Sequence, residues 1–385
     1  MDGVTITLLF LIFAIVMFVW ERIPLSVTAM IVAVGLVVTG VLSPKDAFAG
    51  FVDTNVLLFM AMFIVGAAFF ETGVARDVGG IVTKFAGTER KLIISVMLIT
   101  GLMSGFLSNT GTAAVLIPVA IGLAQRAGFN RAKFLLPLVL ASAMGGNLSL
   151  IGAPGNMIAQ SGLSKIGLSF GFFDYALIGL PVLIVGILYF VLIGYKLLPD
   201  EPARQPEEIY EETDYSKVPK YKKWIAGIVL IATIVGMIFE QQIGIKLYVT
   251  AWIGALVLIV TGTISETAAV KSIDMKTILL FVGSLALADA LVKTGTGTVV
   301  ADAIIGALGS HPSPFVLMAV VFIISAVLTN FMSNTATTAL LVPIGISLAQ
   351  QVGADPKAVL MATVIGGSCA YATPIGMPAN TMVYN

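Results

Sequence analysis

The chain has 385 residues, of which 58% are apolar and 11% charged, with 39 glycines. Soluble proteins average about 25% charged residues, so too few charges are present to cover a surface exposed to water, and the bilayer is the expected solvent. Net charge is zero, which leaves no basic footprint for nucleic acid, and the single cysteine, Cys369, excludes an internal disulfide and a thiolate metal site.

The first apolar run, Thr5 to Trp20, follows an acidic Asp2 without a basic flank and precedes Glu21-Arg22. It therefore reads as a retained span and not as a signal peptide. Further runs near the roughly 20 residues needed to cross about 30 Å of hydrocarbon lie at about 23 to 42, 55 to 72 and 174 to 198, and again at about 224 to 240, 246 to 264 and 277 to 292. Two stretches, 91–125 and 314–350, are too long for one crossing and carry Ser-Asn-Thr in their interior. Two others are broken spans: 132–162, by Gly145-Gly146-Asn147 and by Gly152 to Asn156, and about 357–385, by Gly376 to Asn380. Broken backbone is tolerated at membrane depth only where it faces protein or a wet cavity. Residues 199–223 are almost wholly polar, with Glu207, Glu208, Glu211, Glu212 and Asp214 followed by Lys217, Lys220, Lys222 and Lys223, and read as a soluble linker.

The two halves on either side of that linker are copies. Ser108-Asn109-Thr110-Gly111-Thr112, running on to Pro118, recurs as Ser333-Asn334-Thr335-Ala336-Thr337, running on to Pro343. Thr72-Gly73 parallels Thr294-Gly295, Gly145-Gly146 parallels Gly366-Gly367, and Pro154-Gly155-Asn156 parallels Pro378-Ala379-Asn380. Several motifs recurring in one order mark an internal repeat. The first repeat covers 1–198, with a re-entrant hairpin at 91–125, and the second covers 224–385, with its hairpin at 314–350. The first repeat closes with the span at 174–198; the second stops at Asn385 just after its break, so its final span is expected to be absent.

If each hairpin enters and leaves on one side, the first repeat has five crossings, and the odd number turns the second upside down. The positive-inside rule supports this topology. It places Lys45, Lys165, Lys246, Lys293 and Lys357 on one side and the other sixteen basic residues opposite. The N-terminus is then outside, the 199–223 linker is cytoplasmic, and the protein is a multi-pass resident of the inner (plasma) membrane.

Each Ser-Asn-Thr supplies two hydroxyls, a carboxamide and freed backbone groups. The oxygens can replace the hydration shell of Na+, and the N–H groups at a helix start can face an anion. The breaks add carbonyls at the same depth. Glu71, Asp289 and Glu240 lie near the ends of spans, where each can reach interfacial water, and Asp289 is the remaining candidate for a proton or cation role; His311 falls in an external turn. No nucleophile and base pair or His/Asp/Glu metal cluster marks an enzyme.

Paired Ser-Asn-Thr turns, each followed by a break of the form Gly-x-Pro-x-Asn, resemble the divalent anion:Na+ symporter (DASS) family of the ion transporter superfamily, over essentially the whole chain. The resemblance implies an all-α polytopic membrane protein of two inverted repeats, with scaffold and transport domains that work as an elevator, in a homodimer. It implies one Na+ site at Ser104, Ser108, Asn109 and the Gly152 carbonyl, and a second at Thr329, the Met332 carbonyl, Asn334 and the Gly376 carbonyl. Anionic substrate would meet Ser108, Asn109, Thr110, Ser333, Asn334 and Thr335, with Pro154 and Pro378 nearby. Dicarboxylate carriers of that family usually place a hydroxyl residue and two prolines in each break, whereas this chain has Ala153-Pro154-Gly155 and Met377-Pro378-Ala379. The expected activity is Na+-coupled symport of a di- or tricarboxylate and next of sulfate; the alternative is a Na+/H+ antiporter or an oxyanion efflux carrier of the same superfamily.

Overall fold

The computed structural model describes residues 2–80, 87–130, 132–198, 215–309, 312–374 and 376–384. Among these the chain is helical, with no strand. The helices are α1 (Gly3–Trp20), α2 (Leu25–Val38), α3 (Pro44–Ala47), α4 (Thr54–Glu71), α5 (Val74–Gly79), α6 (Glu89–Ser104), α7 (Asn109–Ala127), α8 (Ala132–Gly145), α9 (Pro154–Lys165) and α10 (Ala176–Leu192). After the linker come α11 (Lys220–Ile238), α12 (Glu240–Ile243), α13 (Leu247–Val260), α14 (Glu266–Ser272), α15 (Met275–Thr294), α16 (Thr296–Leu308), α17 (Pro314–Leu328), α18 (Asn334–Val352), α19 (Pro356–Gly367) and α20 (Pro378–Tyr384). Five of them, α1, α4, α11, α15 and α18, are at least 18 residues long and apolar enough to cross a membrane.

Both Ser-Asn-Thr stretches form hairpins of two helices, α6 with α7 and α17 with α18, and both expected breaks separate helices, α8 from α9 and α19 from α20. The linker prediction is trimmed at one end. Pro219 caps α11, so Lys220, Lys222 and Lys223 form its first turn, since proline at a helix entrance costs no hydrogen bond; residues 199–214 and His311 lie outside the described residues. The structure adds α5 and α16, which sequence reading passed over. Each follows a Thr-Gly stop: the Thr72 and Thr294 hydroxyls donate back to Ala68 O and Ala290 O, both at 2.7 Å, and Gly73 and Gly295 take φ of 79° and 74°.

The chain divides into two compact units that do not follow its two halves. One contains residues 1–60, 154–171 and 274–376, and the other 61–153, 172–273 and 377–385. In the first unit, α2 and α15 approach so closely that a Cβ on Gly283 would lie 2.4 Å from Ala29 O. Leu11, Val32, Leu36, Leu287, Leu291, Leu340 and Leu348 fill the core around that crossing. The α9 helix, from the first half, packs on α18 and α19, from the second. Small residues permit this: a Cβ on Gly155 would meet Thr338 Oγ1 at 2.8 Å, and one on Gly162 would meet Val342 Cγ1 at 2.7 Å.

The second unit repeats the exchange in reverse, since α20, from the second half, packs on α7 and α8. The α6 and α8 helices cross tightly in it, so that a Cβ on Gly145 would lie 2.1 Å from Gly101 O. The α10 helix covers α8, with Gly179 directly against Asn147 O and Gly186 against Met144. At the base of the first hairpin, the Tyr195 hydroxyl donates to Glu89, and Lys133 lies 4.8 Å from the Tyr195 ring centroid, tying α6, α8 and the end of α10 together.

Candidate functional site

Ser333 caps α18, its hydroxyl accepting from Ala336 N at 3.2 Å, which leaves Asn334 as the first helical residue at the tip of the hairpin. Thr329, at the end of α17, points its hydroxyl at two oxygen-bearing groups at once: Gly367 O at 2.5 Å and the Asn334 amide at 2.7 Å. The Gly376 carbonyl turns in from the break to accept from Asn334 N at 3.1 Å. One end of the Asn334 amide then faces three oxygens, Thr329 Oγ1 at 2.7 Å, Gly376 O at 3.0 Å and Gly367 O at 3.2 Å. Occupied by Nδ2, that end donates to the cluster; occupied by Oδ1, it completes a set of four oxygens. Only glycine permits this geometry at position 376, where a Cβ would lie 2.4 Å from Thr329 O.

The first turn is built the same way. Ser108 caps α7 by accepting from Gly111 N at 3.1 Å, and Ser104, at the end of α6, points its single hydroxyl at Asn109 Oδ1 and Ser142 O, both at 2.7 Å. In the first turn one hydroxyl proton faces two acceptors, and in the second it does so when Asn334 Oδ1 is the end turned in, an electron-rich arrangement that a small cation would satisfy in place of a proton. Gly146 lies beneath the Asn109 amide, where a Cβ would sit 2.7 Å from Oδ1. The Asn109 Nδ2 end approaches Met377 Sδ at 3.8 Å. Gly152 is held near the turn by close backbone approach, its Cβ position lying 3.0 Å from Gly105 O.

The same bonds recur in the two halves at a constant offset. Ser104 matches Thr329, Asn109 matches Asn334, and Ser142 O matches Gly367 O, each pair 225 positions apart. By this register the counterpart of Gly366-Gly367 is Ala141-Ser142, one helical turn before Gly145-Gly146, so the sequence pairing of the two glycine pairs is corrected. The tight crossing falls at Gly145 in α8 but at Gly366 in α19, where the Cβ position lies 2.6 Å from Phe322 O. The halves also satisfy the carbonyl of the asparagine differently. Asn109 O accepts from Ser142 Oγ on α8 at 2.7 Å, and Asn334 O from Thr338 Oγ1 on its own helix at 2.9 Å.

The structure therefore brings Ser104 and Asn109 together, and Thr329, Asn334 and the Gly376 carbonyl together. It adds Ser142 and the Gly367 carbonyl, which sequence reading did not find because a carbonyl contribution from a helix 38 positions away leaves no side-chain signal. The Met332 side chain is buried in the apolar core, so only its carbonyl remains for a polar role. Ser108 is exposed at its turn, and Thr110, Ser333 and Thr335 are half-buried. Pro154 begins α9 in the unit that holds Asn334, and Pro378 begins α20 in the unit that holds Asn109. Each unit thus combines a Ser-Asn-Thr turn from one half with the post-break helix of the other. Asp289 is engaged elsewhere, paired with Lys165 at 2.5 Å, and Glu240 pairs with Lys246 at 3.5 Å. Among the described residues no group of three His, Cys, Asp or Glu side chains is placed to hold a metal ion.

A family model described as citrate transporter (CitMHS) matches residues 15–366. The chain belongs to the citrate transporter family. Members of this family are membrane transporters and not enzymes, and the apolar helices make this one a multi-pass membrane protein. An uncharacterized transporter of Haemophilus influenzae is 29% identical over 391 residues, covering 97% of this chain and 83% of that one. A sodium-dependent dicarboxylate transporter, SdcS of Staphylococcus saprophyticus, is 24% identical over 399 residues, covering 94% and 76%. The structure of Neisseria gonorrhoeae MtrF, described with a class of antimetabolite efflux pumps, superimposes with a TM-score of 0.61 at 16% identity and covers 100% of this chain and 88% of that one. At that identity the likeness shows the fold alone. Citrate transporter family membership agrees with the resemblance drawn from the Ser-Asn-Thr turns.

Proposed function

We propose that this citrate transporter family member is a secondary active symporter that moves a divalent anion, a di- or tricarboxylate first and sulfate next, together with Na+. The observation that carries the reading is the repeated oxygen cluster: twice, a hydroxyl with one proton faces a carbonyl and an asparagine amide at 2.5 to 2.7 Å. Na+ binds among Ser104, Ser108, Asn109, Ser142 and the Gly152 carbonyl at one turn. At the other it binds among Thr329, Asn334 and the carbonyls of Met332, Gly367 and Gly376. Substrate oxygens meet the hydroxyls and N–H groups of Ser108, Asn109, Thr110, Ser333, Asn334 and Thr335, beside Pro154 and Pro378. Bound Na+ supplies the positive charge, since residues 101–115 and 326–340 contain no Lys or Arg.

The same two segments contain no Asp, Glu or His, which favours Na+ coupling over proton exchange, the alternative activity. The inverted topology is supported by the ion pairs. Lys165–Asp289, Lys293–Asp46 and Lys246–Glu240 each join residues assigned to the outside, and Lys223–Asp77 and Lys133–Glu89 each join residues assigned to the cytoplasm. Inverted repeats, scaffold and transport domains moving as an elevator, and a homodimer in the inner membrane complete the proposal; the exchange of α9 and α20 between the halves supports the two-fold design. Proteoliposomes offered labelled succinate, citrate and sulfate test it. Uptake of at least one is expected only with an inward Na+ gradient; uptake that ignores Na+ and follows a pH gradient overturns the reading.

A further inference from the structure

The α9 helix has two unlike faces. Gly155 and Gly162 seat it closely on α18. A second face carries polar contacts to other elements. Ser161, fully buried, donates to Asp53 Oδ1 at 2.9 Å and accepts from Asn55 Nδ2 at 2.9 Å, at the start of α4. One turn later Lys165 Nζ lies 2.5 Å from Asp289 Oδ1 and 3.4 Å from Leu285 O, on α15. The α15 helix is itself fixed to α2 by the Gly283 crossing and to the turn before α4, where a Cβ on Gly50 would meet Val282 Cα at 3.0 Å.

We propose that Asp53, Asn55, Ser161, Lys165 and Asp289 form a latch that holds α9 in one position against α4 and α15 and opens when the carrier changes state. The proposal rests on the elevator reading above. Apolar helix faces slide past one another with little directional preference, whereas hydrogen bonds and ion pairs weaken steeply with angle and distance. The polar contacts on α9 therefore define a stopping point. Burial of Ser161 and Asn55 gives the latch its hold, since their groups lose partners when it opens. The outer pair is reversible: Lys165 and Asp289 side chains are 34% and 32% exposed, so water takes over both charges on opening. A fully buried pair would instead weld the helices together.

The test uses the full chain with Cys369→Ser as background. In Lys165→Cys/Asp289→Cys, bridging the thiols with a short, reducible bifunctional methanethiosulfonate is expected to abolish Na+-driven anion uptake, and reduction to restore it. Hydrogen–deuterium exchange provides an arm that needs no substrate. Lys165→Glu is expected to speed exchange at the end of α9 by about fivefold, and Lys165→Glu/Asp289→Lys to return it to the original rate. Undiminished uptake by the bridged protein, or exchange unaffected by Lys165→Glu, overturns the latch. If the unbridged protein takes up no tested anion with Na+, the substrate reading fails and the exchange arm alone decides the latch.

Discussion

Asn334→Ala is expected to raise the Na+ concentration for half-maximal transport at least tenfold, and Asn109→Ala to do the same from the other turn. Each amide is the one side-chain carbonyl source in its cluster, held by a hydroxyl at 2.7 Å from below and, for Asn334, by the Gly376 carbonyl through its backbone N–H at 3.1 Å. Removing a group that bonds to a charge costs about 1.5–3 kcal/mol, and a tenfold change in affinity corresponds to about 1.4 kcal/mol. Alanine is a good helix former at a first-turn position, so the helices should persist, and the Na+-free melting temperature separates loss of the site from loss of the fold. An unchanged Na+ response in both variants refutes the assignment of the turns as cation sites.

Gly145→Ala is expected to destabilise the fold strongly. The new Cβ would stand 2.1 Å from Gly101 O, 2.7 Å from its carbonyl carbon and 2.7 Å from its Cα, all backbone atoms that no rotamer change can move. The α6 and α8 helices must separate, and with them the hydrogen bond from Ser104 to Ser142 O that shapes the first cluster. Overpacking of this kind costs about 3 kcal/mol or more, a fall in melting temperature of about 6 °C or more for a unit of this size. Gly80→Ala is the matched control, because among the described residues nothing beyond its chain neighbours and its own helix backbone lies within 4 Å of its Cβ position, and its φ of −61° suits any residue. Equal melting temperatures for the two variants would contradict the close α6–α8 crossing.

Much of this architecture is legible in the sequence because its punctuation is chemical. A serine cap followed by an asparagine starts a helix, a glycine with proline in a hydrophobic run stops one, and both occur twice in the same order. The helix ends at both Ser-Asn-Thr turns and at both breaks are therefore marked by residues that can be read directly. What could not be read are features whose signal is carried by backbone. Gly367 contributes a carbonyl that any residue possesses, and Ser142 is one serine among many until α8 is folded against α6. The register of the paired glycines is hidden for the same reason. Paired glycines look equivalent on paper, while the hydrogen bonds of Ser104 and Thr329 show that Ser142 and Gly367 occupy the matching places. The exchange of α9 and α20 between the halves is likewise a property of three-dimensional packing. Short helices such as α5 and α16 fall below the length at which an apolar window is informative.

The pairing of cation and anion movement is the central claim, and simultaneous fluxes of 22Na+ and a labelled anion into proteoliposomes measure it most directly. Each anion taken up should carry Na+ in a fixed ratio, and Asn109→Ala or Asn334→Ala should depress both fluxes together. Anion uptake with no accompanying 22Na+, or 22Na+ entry that is indifferent to the anion, would contradict the account.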